Sequence, residues 1–184
     1  MQPMARKASS AVTLLVLITF ASPALAQSQQ PYGGLEARPI KALSEQQIAD
    51  LRAGRGMGLA LAAELNGYPG PMHALELADA LDLSGQQRAR MQELFTAMKA
   101  EAIPLGEQLI AQEAELDKAF ASKTITAATL AASTEAIGAT HAALRQAHLK
   151  YHLFTVEVLT PVQVQRYREL RGYKGGTQHP HSQH

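Results

Sequence analysis

The chain has 184 residues, carries 17 Lys and Arg against 16 Asp and Glu, and contains neither cysteine nor tryptophan. The even charge balance argues against a nucleic-acid partner, and the missing cysteines exclude disulfides, a thiol nucleophile and lipoprotein acylation. Few aromatics (5%) beside abundant Ala, Leu and Gln favour helices packed at close range over a sheet.

Residues 1–26 read as a cleavable secretory signal peptide, with Arg6 and Lys7 as the basic region, Ala11 to Phe20 as the apolar region and Ala24-Leu25-Ala26 as the cleavage signature. Ser22 and Pro23 interrupt the apolar run before it reaches the about 20 residues a spanning helix needs. The expected product is therefore an exported, soluble chain starting near Gln27. Its roughly 160 residues are one domain's worth and can bury a core.

Residues 27–43 contain Pro31, Gly33, Gly34 and Pro39, show no period, and read as a flexible leader. A helical domain is expected over 44–173. Its first pattern, Ile48, Leu51, Leu59, Leu61 and Leu65, predicts a helix ending at Asn66-Gly67. Gly54, Gly56 and Gly58 each cost about 1 kcal/mol against Ala inside a helix. A continuous helix would align Gly54, Gly58 and Ala62 as a smooth stripe for close backbone approach; the alternative is a break at the glycines.

Tyr68-Pro69-Gly70-Pro71 reads as a stop and turn, followed by a short helix from His73 to about Leu81. After Ser84 comes the longest pattern: Met91, Leu94, Met98, Leu105, Leu109, Leu116 and Phe120 recur at three and four, a seam of the coiled-coil kind. Pro104 is expected to kink this helix without ending it, because the period resumes in phase. Ser122 to Thr126 is the predicted turn, and from Ala127 a return helix carries Leu130, Ile137, Leu144, Tyr151 and Val158 at seven-residue spacing. Two long helices joined by a short turn must lie antiparallel. A last helical run, VQRYRELRGY, ends at Tyr173, and the tail 174–184 has no apolar content and reads as disordered.

One helix-start device punctuates this order. In Leu159-Thr160-Pro161-Val162-Gln163, Thr160 is an N-cap, Pro161 takes the first helical position, Gln163 completes a capping box, and Leu159 and Val164 form a hydrophobic staple. Leu83, Ser84 and Gln87 repeat the device ahead of the longest helix, and Leu43, Ser44 and Gln47 repeat it ahead of the first.

The paired L-[S/T]-x-x-Q motifs, flanking a long helical hairpin in an exported chain, resemble the Spy/CpxP family over about Met72 to Tyr173, with Ser84 standing for the family's threonine in the first copy. The resemblance implies an all-α protein: a bent antiparallel long-helix hairpin flanked by shorter capped helices, dimerising into a cradle. It implies an ATP-independent periplasmic chaperone and stress protein that holds unfolded or damaged envelope proteins, with a membrane-bound sensor as a further partner. Some relatives are instead zinc-associated or nickel- and cobalt-sensing proteins that bind metal through histidines, so the alternative reading is a protein that binds or senses zinc, copper or nickel.

No catalytic constellation is present: no G-x-S-x-G, no phosphate-binding glycine loop, no H-E-x-x-H. The expected protein is not an enzyme and requires no cofactor. The histidines are the candidates for metal. At about 100° per residue, His141, His148 and His152 fall on one side of the return helix, bordering its seam, and His148 and His152 form an i, i+4 pair able to chelate one ion. Half-buried packing at the seam's edge is the more ordinary explanation of the same positions. A metal site needs a third ligand, from Glu93, Glu101, His73 or a second subunit. Counting from the shared motif, the metal-sensing relatives' ligand pair falls near Tyr151 and Thr155, away from these histidines. His179, His181 and His184 in the tail offer only a loose metal-binding cluster.

Overall fold

A computed structural model describes residues 32–173. The chain divides into two units, Met1–Gly33 and Gly34–His184, and the described residues fall in the second apart from Tyr32 and Gly33. The predicted signal segment, the start of the leader and the histidine-containing tail lie outside the described residues. Among the described residues there are six α-helices and no strand: α1 (Glu45–Arg52), α2 (Leu61–Glu64), α3 (Pro71–Glu76), α4 (Gly85–Ala121), α5 (Ala127–Val158) and α6 (Pro161–Leu170).

All three predicted capping boxes form. The Ser44, Ser84 and Thr160 side chains accept from the backbone N–H of Gln47, Gln87 and Gln163 at 3.1, 3.2 and 3.2 Å, and each glutamine accepts in return from its cap's N–H at 2.9–3.0 Å. Thr126 and Thr129 build the same box at the head of α5, with the Thr129 hydroxyl standing where the other boxes use an amide. Ser84→Ala, or equally Thr160→Ala, is expected to cost about 1 kcal/mol, a fall of about 3 °C in melting temperature for a domain of this size. Unchanged thermal midpoints in both variants would show that neither hydroxyl caps.

The predicted continuous helix over residues 44–66 does not form. The chain leaves α1 through a Schellman closure, Arg55 N–H to Asp50 carbonyl at 2.9 Å and Gly54 N–H to Leu51 carbonyl at 3.1 Å, with Gly54 left-handed at φ 64°. Met57 and Gly58 are also at positive φ, 43° and 83°. A glycine that weakens a helix interior is the residue best suited to end one, so the local cost becomes a turn. α2 is the stub that remains, ending at Glu64, and the turn after it closes at Gly67, φ 87°. The close approach expected of Gly54, Gly58 and Ala62 is made elsewhere: a Cβ on Gly106 of α4 would stand 2.6 Å from the Leu51 carbonyl oxygen, so α1 docks its C-terminal end on α4 there.

α4 runs unbroken through Pro104, and α4 and α5 form the antiparallel hairpin that is the main packing unit. Two cores flank its length. At the base, α3, the start of α4, the end of α5 and α6 bury Ala74, Leu83, Met91, Leu94, Met98, Tyr151, Leu159 and Tyr167. Further up, α1 covers Ala102, Leu109, Ile110 and Leu144, and Ile40 and Leu43 are buried with them. Those two residues lie in the stretch expected to be a flexible leader; their apolar side chains seal the end of this core, so the folded domain begins before Ser44. Towards the tip no third helix among the described residues covers the seam, and Phe120 and Leu130 are exposed although they keep the predicted period.

Candidate functional site

The two L-[S/T]-x-x-Q motifs meet in space. With its Oε1 already accepting from its own cap, Gln87 donates Nε2 to the Val158 carbonyl at 3.0 Å and to Gln163 Oε1 at 2.8 Å. Gln163 donates Nε2 to the Leu81 carbonyl and to Gln87 Oε1 at 3.3 and 3.1 Å. Each amide therefore caps its own helix, binds the other amide, and satisfies a carbonyl at the end of the segment before the other motif. Ser84 and Thr160 stay at the surface while Leu83 and Leu159 are buried in the basal core. The motif residues Leu83, Ser84, Gln87, Leu159, Thr160 and Gln163 thus form one structural clasp.

A cleft of about 480 Å³ opens beside the basal core, under the 53–58 loop and α2. Met57, Leu61, Met72, Phe95 and Met98 are its apolar walls; Glu64, His148 and His152 supply its buried polar groups. These three are 6%, 3% and 7% exposed. His152 Nδ1 lies 2.6 Å from the Tyr68 carbonyl, which accepts only, so Nδ1 holds the proton. Glu64 Oε1 accepts from the Tyr167 and Tyr173 hydroxyls, with Arg171 Nε at 3.6 Å. Among the described residues Glu64 Oε2 and His148 Nε2, both buried, have no hydrogen-bond partner, and the donor nearest Glu64 Oε2 is His152 Nδ1 at 3.8 Å, an ion-pair distance.

Sequence periodicity placed His141, His148 and His152 together; the structure keeps His148 and His152 in one cleft and separates His141 from them. His141 is exposed and lines a different cleft beside Leu43 and Leu109, since seven residues of helix displace it about 10 Å from His148 along α5. Among the described residues no three His, Asp or Glu side chains gather as a metal needs. Of the predicted third ligands, Glu93 pairs with Arg90, Glu101 takes Lys150 and the Tyr151 hydroxyl, and His73, which shares the cleft, has its Nδ1 on Glu76. Among the described residues, then, His148 and His152 have no third ligand beside them. Glu64 was not legible as a site residue, because its partners lie some hundred positions away; no local spacing marks it.

Burial, with His152 beside it, holds the His148 imidazole below its ordinary pKa of 6.5, so it is neutral in the fold. The unfolded chain then takes up this proton first as pH falls, so the stability His148 allows is fully present above pH 6.5 and is lost below it. His148→Gln is expected to flatten the decline of the urea midpoint between pH 7.5 and 5.5; an equal decline in both proteins would show that His148 does not drive it.

A family model described as LTXXQ motif family protein matches residues 71–171, more than half of the chain. Comparison with curated proteins and with solved structures finds no match.

Proposed function

The chain belongs to the LTXXQ motif family, which includes Spy/CpxP-type proteins, and from that premise we propose that it is an ATP-independent periplasmic chaperone for unfolded or damaged envelope proteins. The family is typically periplasmic, and no helix among the described residues is long and apolar enough to cross a membrane. Export by a cleaved signal peptide completes this reading. The observation that carries it is the apolar surface of the matched region: Val162 is 78% exposed, Leu153 and Phe120 53%, and Leu130 37%. Large apolar side chains left in water beside charged neighbours suit reversible contact with unfolded chains. The uncovered hairpin tip supports pairing of two copies into a cradle, and a membrane-bound sensor is a further partner under this proposal. The function is binding, without catalysis and without a required cofactor.

The test is suppression of client aggregation by the metal-free protein, without ATP and with chelator present. Suppression that falls severalfold in a Leu153→Ser/Val162→Ser variant of unchanged stability supports the reading. Suppression that appears only on adding zinc, copper or nickel would transfer the function to the metal-responsive relatives, with the missing ligand coming from a second copy. No suppression under either condition would overturn the chaperone reading.

A further inference from the structure

We propose that Met57 and Met72 are a reversible oxidation site, at which a peroxide converts two thioethers to sulfoxides and turns the entrance of the basal cleft from apolar to polar. The chain holds no cysteine, so methionine is its only sulfur. The described residues contain four methionines, and they divide sharply. Met91 is 0% exposed and Met98 8%, both within the basal core. Met57 is 42% exposed and Met72 39%. Methionine is ordinarily among the most buried residue types, yet the two open ones line the same cleft.

Their positions set what oxidation does. Met57 and Met72 belong to neither buried core, so a sulfoxide at either leaves the packing of the hairpin in place. The same oxygen at Met91 or Met98 would bury a polar group in that packing. Met57 sits at φ 43° between Gly56 and Gly58, in left-handed backbone where a side chain is uncommon. That side chain is nonetheless a wall of two clefts, the basal one and the one lined by His141. Met72 follows Pro71 at the head of α3. Together with Leu61, 54% exposed, the two thioethers form the solvent-facing apolar part of the basal cleft's lining.

In the reaction a lone pair on the thioether Sδ attacks one peroxide oxygen. The S–O bond forms as the O–O bond breaks, and the departing hydroxide takes the proton left on the transferred oxygen and leaves as water. Sulfur loses two electrons and the peroxide gains them. The product is a polar, chiral side chain in place of a flexible apolar one, and sulfoxide reductases specific for each epimer restore the thioether with two electrons from a thiol. The proposed client contacts Leu153, Val162, Phe120 and Leu130 contain no sulfur, so oxidation leaves them chemically unchanged.

The experiment treats the full chain with hydrogen peroxide and follows each methionine by peptide mass spectrometry. Met57 and Met72 are expected to oxidise at about the rate of free methionine, and Met91 and Met98 roughly tenfold or more slowly until urea unfolds the chain. Circular dichroism of the oxidised chain should stay helical. Binding of N-phenyl-1-naphthylamine, an uncharged apolar probe, should weaken severalfold on oxidation and return after treatment with methionine sulfoxide reductases. A Met57→Leu/Met72→Leu variant keeps the apolar entrance without its sulfur, and should bind the probe alike before and after peroxide. Oxidation of all four methionines at one rate, no probe binding by the reduced chain, or equal weakening in wild type and variant would overturn the proposal. Aggregation suppression by the unoxidised chain decides the chaperone reading, and none of these outcomes bears on it.

Discussion

Leu109→Asp is expected to abolish the fold. Leu109 is 1% exposed on α4 and shares the upper core with Leu51, Ala102 and Leu144. Loss of the leucine alone costs about 2–5 kcal/mol in a buried site. The carboxylate adds the cost of burying a charge with no partner, which is larger again unless the site opens to water. A domain of ordinary stability holds about 5–15 kcal/mol in all, so the two losses together consume most of it. Circular dichroism at 25 °C should show Leu109→Asp largely without helix, while Leu109→Ala remains helical with a lowered urea midpoint. A Leu109→Asp protein that is fully helical with a wild-type midpoint would remove the α4–α5 seam as the basis of the fold.

Tyr167→Ala is expected to produce the next largest loss, about 3–5 kcal/mol, the range for deleting a large buried aromatic. Its ring is fully buried in the basal core and ties α6 to α3 and α4. Its hydroxyl donates to the Glu64 carboxylate, and burial together with that carboxylate pushes the phenol well above its ordinary pKa, so the hydroxyl remains a donor throughout the accessible pH range. Tyr167→Phe separates the two contributions: it keeps the ring, removes one hydrogen bond to a charged group, and should cost about 1.5–3 kcal/mol. Urea unfolding of the pair measures both. Equal midpoints for the alanine and phenylalanine variants would show that the ring contributes nothing to docking α6.

Elements whose signals are local were legible in the sequence. Ser44, Ser84 and Thr160 each reach a backbone N–H three residues on, so the helix starts followed from spacing alone. The hairpin followed from a long apolar period, a short turn and a second long period, and the family from the two motifs. The same periodicity misled where burial depends on what lies opposite. Phe120 and Leu130 keep the seam's phase yet stand in water, and His141 shares a helix side with His148 yet opens on another cleft.

What only the tertiary structure decided concerns groups whose partners are remote in the chain. Gln87 and Gln163 are 76 positions apart, and Glu64 and Tyr167 are 103 apart; both pairs form only once α6 has folded back on the base of the hairpin. The break at Gly54 was left open by local propensity, because a glycine permits both a weakened helix and a left-handed turn. The choice falls to the turn once α1 has docked at Gly106, where only a hydrogen lies between α4 and the Leu51 carbonyl. The sequence by itself determined the helices, their caps, their order and the family. Packing across long sequence separations determined where the first helix stops, how the two motifs clasp, and which carboxylate and imidazole are buried in the cleft.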